Sequence, residues 1–328
     1  MQYRNLGKTG LKVSAICLGT MNYGNQVNEA DADRIIKTAL ASGVNFFDTA
    51  DMYVDGKSEE IVGKALKHER HSIVLATKVA NRVGPGVNDI GLSRKHIMKA
   101  VEDSLRRLQT DYIDLYYAHM PDNETELEET LRTFDDLVRQ GKVHYIGCSN
   151  YAAWQLCKAL WVSDIHNLVR FDCISPPYNL LTREIERELL PLCTSEGVGV
   201  CVYNPLAGGL LTGKHVYDKP PLEGTRFALE RWGPMYSERY WSATNFNAVS
   251  RLKQTADEHN RSLAHFALAW ILDNQVITSG ICGATSINQL EENIAAVEVK
   301  LTAEELQICD DIWQQLCPPQ FLYERPVR

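Results

Sequence analysis

The sequence predicts an α/β protein of the (β/α)8 class, the TIM barrel. Eight short apolar runs alternate with amphipathic helical patterns along the 328 residues. Strict alternation of strand and helix indicates parallel strands with right-handed crossovers, and eight such units close into a barrel. Residues able to handle protons follow three of the runs, at the strand end where barrel active sites lie. A doubly wound sheet would fit the alternation too, but its Gly-x-Gly-x-x-Gly fingerprint is absent.

A small N-terminal β-hairpin is expected before the barrel. Gly7 and Gly10 surround a short polar turn between two segments that can extend, which is typical of a hairpin. The barrel strands follow. Several are apolar on both faces, as expected when one face lines the interior and the other contacts helices. They are predicted at residues 16–19, 44–47, 73–77, 113–118, 143–147, 169–174, 198–203 and 276–281.

Amphipathic helices are predicted between the strands. Ile97, Val101 and Leu105 recur at helical spacing and define the buried face of one of them. Ser58 is expected to cap the helix after the second barrel strand, because a serine hydroxyl accepts a hydrogen bond from the first turn. The following helix is expected to begin near Ser93. Others are predicted at residues 127–138, 154–162 and 183–194.

Two segments interrupt the alternation, although residues 1–328 are expected to form a single domain. Residues 206–245, after the seventh strand, form a long connection rich in Gly, Pro and aromatic residues. Long loops in compact domains are usually functional or disordered. The aromatic side chains of this segment either form a small core of their own or line an apolar substrate pocket. Residues 315–328 form a Pro-rich C-terminal tail.

Composition narrows the class of protein. A formal net charge of −8 and a pI near 5.6 argue against a dedicated nucleic-acid binder, which would show a basic patch. No leader sequence or apolar run of membrane-spanning length is present, so a cytoplasmic protein without a membrane partner is expected. The nine cysteines are odd in number and contain no Cys-x-x-Cys pair, which fits reduced thiols rather than disulfides or a metal site.

Four residues form the predicted catalytic set. Asp48, Lys78 and His119 each directly follow an apolar run, and Tyr53 comes five residues after Asp48. A tyrosine donates protons readily near neutral pH only if its pKa falls from its usual value near 10. Lys78 is expected to lower that pKa by favouring the phenolate, with Asp48 holding Lys78 and His119 binding the substrate oxygen. Asp51 is expected to be a loop residue.

This set resembles the catalytic tetrad of the aldo-keto reductases. The similarity covers essentially the whole chain, because further motifs occur in the order in which the family has them. The branch that the chain resembles most contains the potassium-channel β-subunits and related bacterial NADP-dependent reductases. The motifs are Gly19-Thr20-Met21 and the segments 43–50, 141–150, 178–181, 205–211 and 283–293.

The resemblance implies an enzyme that reduces an aldehyde or ketone to the alcohol without a metal. The nicotinamide supplies hydride and Tyr53 supplies the proton. The substrate pocket is expected to include Tyr23, Tyr53, His119 and Trp232. The implied cofactor-binding residues are Gly19, Thr20, Met21, Asp48, Ser149, Asn150, Ser175, Tyr203, Pro205, Leu206, Ala207, Gly209, Leu210, Lys214, Arg226, Gly283, Thr285, Gln289, Glu292 and Asn293.

Departures from the family pattern bear on the cofactor. Ser175 stands where a Gln usually contacts the carboxamide. Gly283 and Gln289 stand where many members place Lys and Arg for the 2′-phosphate. The Thr285 and Gln289 version resembles the channel β-subunit branch, which binds NADP, so NADP(H) is favoured and NAD(H) is the alternative.

Parts of the sequence are also compatible with other functions. Gly208 to Lys214 matches the Gly-x-x-x-x-Gly-Lys pattern of a phosphate-binding loop. His215 follows where Ser or Thr is required, and no helix pattern follows, so the sequence disfavours an ATPase. The alternatives that stay open are a cofactor-binding regulatory or partner subunit with secondary redox activity, and a physiological alcohol or sugar dehydrogenase.

Overall fold

The chain begins with a β-hairpin in the computed structural model, which describes residues 1–317. Strands β1 (Tyr3–Asn5) and β2 (Lys12–Ser14) pair antiparallel, as the sequence predicts. The turn between them packs against the amino-terminal end of the barrel, where the Lys8 N–H donates to the Gly197 carbonyl at 2.9 Å. Leu6 is fully buried against the side chains that fill the barrel. The hairpin therefore covers the end of the barrel opposite the strands' carboxyl ends.

Eight parallel strands of the described chain close into the predicted (β/α)8 barrel. Each pairs with the next along the sequence, and the last pairs with the first, from Gly280 opposite Ile16 to Gly283 opposite Gly19. The strands are β3 (Ile16–Gly19), β4 (Phe46–Asp48), β5 (Val74–Val79), β6 (Ile113–Ala118), β7 (Val143–Ser149), β8 (Cys173–Ser175), β9 (Gly199–Tyr203) and β10 (Ile277–Gly283).

Helices surround the barrel and supply its outer layer. Within residues 1–317 they are α1 (Glu29–Ala41), α2 (Lys57–Leu66), α3 (Arg94–Leu108), α4 (Leu127–Arg139), α5 (Ala153–His166), α6 (Leu189–Glu196), α7 (Gly233–Tyr240), α8 (Ala243–Glu258), α9 (Leu263–Asp273), α10 (Ile287–Ala295) and α11 (Ala303–Leu316). Ser93 caps α3, as predicted, because its hydroxyl accepts from the His96 N–H.

Buried side chains form an inner and an outer layer, which explains the apolar character of both strand faces. Phe46, Leu115 and Tyr117 belong to the cluster inside the barrel. Their neighbours Phe47 and Tyr116 point the other way and join the cluster between strands and helices. The eight cysteines from Cys17 to Cys309 are free thiols, as expected.

Three local predictions differ from the structure. Ser58 does not cap α2, since the left-handed Gly56 occupies that position and the Ser58 hydroxyl points inward. The strand predicted at residues 169–174 forms only at Cys173–Ser175. The helix predicted at 183–194 divides into a short 3-10 turn and α6, which starts at Leu189 and holds Pro191 in its first turn, where proline is tolerated.

The long connection after β9 is ordered. It contains 3-10 turns at Ala207–Thr212 and Arg226–Ala228, then α7 and the start of α8. The predicted tail is α-helical as far as Leu316, and residues 318–328 lie outside the described residues. No helix within residues 1–317 has the length and apolar character needed to span a bilayer.

Close packing of α2 on α3 depends on a glycine. A Cβ added to Gly63 would collide with the backbone of Leu108, so α2 and the end of α3 would have to move apart. We expect Gly63→Ala to lower the free energy of unfolding by about 1–3 kcal/mol through overpacking. Gly10→Ala is the control, since a Cβ there meets nothing within 4 Å. Urea unfolding of both variants checks this, and equal stability would contradict the packing argument.

Candidate active site

The four predicted catalytic residues meet at the carboxyl ends of adjacent strands. Asp48 ends β4, Lys78 lies near the end of β5, and His119 directly follows β6. The Lys78 ammonium donates to Asp48 Oδ1 at 2.5 Å and to the Thr49 carbonyl at 2.6 Å. It also lies 3.4 Å from the Tyr53 hydroxyl. The Tyr53 and His119 rings are 5.9 Å apart in an edge-to-face arrangement.

Lys78 and Asp48 form a buried ion pair, with both side chains only 4% exposed. Burial alone would lower the pKa of the Lys78 ammonium, but Asp48 and Tyr53 together raise it above its usual value. Lys78 therefore keeps its positive charge although it is buried.

The pKa of Tyr53 differs from the sequence prediction. Lys78 acts in the expected direction, but loss of water around the phenol outweighs it, and the negative charge of Asp48 adds to the rise. The pKa therefore lies above its usual value of 10, and the prediction of a lowered pKa is wrong for the free chain. Tyr53 is consequently protonated at neutral pH, which is the form that can donate a proton.

His119 is held in its neutral form. The protein packed around the ring, and secondarily the charge of Lys78, lower its pKa well below the usual value. Its Nδ1 is buried and has no hydrogen-bond partner among residues 1–317. A neutral imidazole can donate a hydrogen bond to a carbonyl oxygen without adding another charge beside Lys78.

A cavity of about 550 Å³ opens above the tetrad. A hydrogen-bonded chain forms part of its wall: the Tyr203 hydroxyl donates to Asn150 Oδ1 at 2.8 Å, and Asn150 Nδ2 donates to the His119 carbonyl at 2.8 Å. Asn150 has a φ of 62°, a left-handed conformation that asparagine tolerates. The predicted ligand-binding residues that line the cavity are Gly19, Thr20, Met21, Asp48, Tyr53, His119, Ser149, Asn150, Ser175, Tyr203, Arg226, Trp232 and Gly283.

A second cleft of about 380 Å³ continues from this cavity and shares Arg226 and Gly283 with it. Gly209 borders the cleft with a φ of 101°, where a Cβ would be strained and would project into open space. The other predicted cofactor residues that line the cleft are Pro205, Leu206, Lys214, Thr285, Gln289, Glu292 and Asn293.

The two spaces form one elongated groove whose residues fit a dinucleotide. Ser175 Oγ is buried in the first space without a hydrogen-bond partner in the described chain, so a ligand amide could bond it. In the second space Gln289 Oε1 accepts from the Thr285 N–H at 2.8 Å and from its hydroxyl at 3.0 Å. The side-chain NH2 of Gln289 is thereby left for a ligand.

Burial corrects one predicted residue of the substrate pocket. Tyr23, expected in the substrate pocket, is fully buried in the core beneath it and does not line the cavity. The side chains of Ala207 and Leu210 point into the core, so a bound cofactor would contact only the backbone of these two residues. Asp51 lies in a turn after β4, as expected, and it is only 3% exposed, so burial raises the pKa of its carboxyl well above the usual value.

The aromatic residues of the long connection serve both of the roles considered. Phe227 and Trp241 pack edge to face in a small core that Phe246 of α8 completes, whereas Trp232 and Tyr236 line the cavity. Residues of the cavity that the sequence analysis missed include Asn22, Asn81, Met120, Asn204, Met235, Tyr236 and Arg239. The four-residue spacing of Tyr236 and Tyr240 was the signal for α7, which presents several of them.

The start of α2 fixes the strand ends that carry the tetrad. The Ser58 hydroxyl lies 2.9 Å from both the Thr20 and Thr49 hydroxyls. Glu59 accepts from the Thr77 hydroxyl at 2.6 Å, next to Lys78. The residues directly before this helix start are strained, since Val54 has a φ of 49°. Left-handed backbone at a β-branched residue is rare and clusters at functional sites.

The buried ion pair predicts that substitutions of Lys78 and of Asp48 have non-additive effects on the free energy of unfolding. Lys78→Met leaves a buried carboxylate without its partner, so we expect the free energy of unfolding to fall by about 3–5 kcal/mol. Adding Asp48→Asn removes the unpaired charge and should restore part of that loss. Urea unfolding of wild type, both single variants and the double variant measures the coupling. Additive losses would contradict an ion pair.

The chain is similar to known proteins over most of its length. The family model described as aldo/keto reductase matches residues 15–314. A probable voltage-gated potassium channel subunit β of Arabidopsis thaliana is 41% identical over 304 residues, which cover 91% of this chain and 92% of that protein. The uncharacterized oxidoreductase YrpG of Bacillus subtilis is 40% identical, and the match covers 95% of this chain and 96% of that protein. A putative channel subunit β of Schizosaccharomyces pombe is 36% identical, with 98% and 96% covered. The chain therefore belongs to the aldo/keto reductase family.

Proposed function

We propose that this chain is an NADPH-dependent reductase that converts an aldehyde or ketone to the alcohol. The family makes an oxidoreductase the expected activity. The observation that carries the proposal is the buried Lys78 and Asp48 pair, placed beside a protonated Tyr53 at the floor of a cavity. Bound NADPH would supply the hydride that the carbonyl carbon accepts.

The tetrad provides the proton. In the proposed reaction His119 donates a hydrogen bond to the carbonyl oxygen and orients it, and Tyr53 gives its proton to the same oxygen as negative charge develops there. Lys78 stabilises the phenolate that remains, because its charge lies 3.4 Å from the Tyr53 oxygen. Asp48 holds the ammonium in place from 2.5 Å.

The groove supports the choice of cofactor. Ser149, Asn150 and Ser175 would hold the carboxamide, with the Tyr203 ring under the nicotinamide. Lys214 and Arg226 border the cleft that would take the phosphates. The free NH2 group of Gln289 suits the 2′-phosphate, which supports NADPH over NADH.

A second candidate is a cofactor-binding partner subunit, which the channel-subunit names of two relatives described above favour. The complete tetrad favours the enzyme. Slow turnover with every carbonyl tried, together with co-purified nucleotide and a stable protein partner, would rank the subunit first. The same site could also oxidise an alcohol or sugar, and the dependence of the rate on the NADPH to NADP ratio distinguishes the two directions. We further propose a single domain acting in the cytoplasm.

Tyr53→Phe tests the proton donor. The change removes only the hydroxyl, so we expect reduction of a generic aldehyde to fall by at least about a thousandfold while NADPH affinity stays the same. Tyr23→Phe is the matched control, because the Tyr23 hydroxyl is buried away from the cavity and makes no hydrogen bond within residues 1–317. Stopped-flow reduction and fluorescence titration of NADPH measure both. Retained turnover in Tyr53→Phe would contradict the role of Tyr53 as proton donor.

Gln289→Glu tests the cofactor choice. The carboxylate can still accept from Thr285, but it loses the NH2 donor and adds a negative charge. We expect the Kd for NADPH to rise about tenfold or more, with the Kd for NADH changed less than about threefold. Gln140→Glu adds the same charge to an exposed position at the end of α4, so it should leave both values unchanged. Equal loss for both nucleotides would place the 2′-phosphate elsewhere.

A further inference from the structure

The wall of the cavity carries more positive than negative charges. Among the lining residues of the described chain, Asp48 is the single acid and it is neutralised by Lys78. Arg226 is held by the Tyr236 hydroxyl at 2.9 Å and by Asn22 Oδ1 at 3.2 Å, and it borders the second cleft too. Arg239 is the other arginine of the wall. No carboxylate of the wall balances its positive charge.

Arg239 itself has an exposed side chain in the last turn of α7. It forms no hydrogen bond or ion pair with any residue in 1–317. Other arginines of this chain are engaged: Arg183 pairs with Glu186 and Asp310, and Arg107 with Glu59. A guanidinium that faces a cavity without a protein acceptor has all of its donors available to a ligand.

The positive charge of Arg239 acts on the part of the cavity that holds Tyr203 and His119. Burial raises the pKa of Tyr203 to about 12, and the positive charge of Arg239 opposes that rise. The Tyr203 hydroxyl in turn donates to Asn150, whose amide donates to the His119 carbonyl. Arg239 thus faces the same space as the catalytic histidine.

The rest of the wall would orient a ligand, because it is apolar. Met52, Met120, Trp232 and Met235 supply apolar surface, so the cavity has an apolar part and a cationic part. Arg239 does not border the second cleft, where Lys214 and Arg226 are available for the cofactor phosphates. Phosphates of the proposed cofactor in the second cleft would therefore lie away from Arg239.

We propose that this site reduces carbonyl compounds that carry an anionic group, a carboxylate or a phosphate, and that Arg239 binds that group. The inference rests on the reductase function proposed above. A guanidinium binds either anion through two parallel hydrogen bonds, which favours both substrate types over neutral analogues. Arg239 is thus a residue that determines specificity and takes no part in the proton transfer.

Matched substrate pairs test the inference. Succinic semialdehyde and butyraldehyde differ mainly in a carboxylate, and glycolaldehyde phosphate and glycolaldehyde differ in a phosphate. We expect wild type to show at least about tenfold higher kcat/KM for the charged member of one or both pairs. Arg239→Gln should lower kcat/KM for that member about 10- to 100-fold and change the neutral member less than about threefold. Arg239→Lys should recover part of the loss.

The controls separate the two proposals. Arg251→Gln removes one positive charge from the exposed surface of α8 and should leave the ratio of charged to neutral rates unchanged. If wild type reduces none of the four aldehydes, the proposed function fails. If it reduces charged and neutral members equally, or if Arg239→Gln lowers all rates together or weakens only NADPH binding, the substrate inference is overturned. A preference confined to one pair supports it and identifies the anion.

Discussion

The ion pair between Lys78 and Asp48 is the interaction on which the site depends. Each charge is excluded from water, and either one alone would be strongly unfavourable there. The barrel makes the pair possible because β4 and β5 are neighbours in parallel register, which brings the carboxyl ends of the two strands together. The same ammonium faces Tyr53, so one buried positive charge links the stability of the strand ends to the acidity of the phenol.

Support for this pair comes from the beginning of α2 rather than from the cavity. Ser58 joins the ends of β3 and β4 through Thr20 and Thr49, and Glu59 joins β5 through Thr77. Arg107 from α3 completes the arrangement by neutralising Glu59. Two adjacent polar residues therefore fix three strand ends to one helix, which keeps the side chains of Asp48 and Lys78 at a defined separation without occupying the space above them.

The sequence predicts the barrel and the tetrad because both follow from local patterns: alternating runs, and Asp48, Lys78 and His119 directly after them. It also predicts most of the groove through the family resemblance. Burial is what it could not predict. The pKa of Tyr53 and the positions of Tyr23 and Ala207 depend on packing between distant segments. Arg239 was missed because α7 lies in a segment whose glycines, prolines and aromatics give little helical pattern.

The turn that follows Tyr53 stores backbone strain. Val54 adopts a left-handed conformation that costs a β-branched residue on the order of 1–3 kcal/mol and that glycine adopts freely. The folded chain is therefore less stable than its own backbone allows, at a position directly bonded to Tyr53. Glycine at this position would remove that strain, but it would also give the unfolded chain more conformational freedom, which offsets part of the stabilisation.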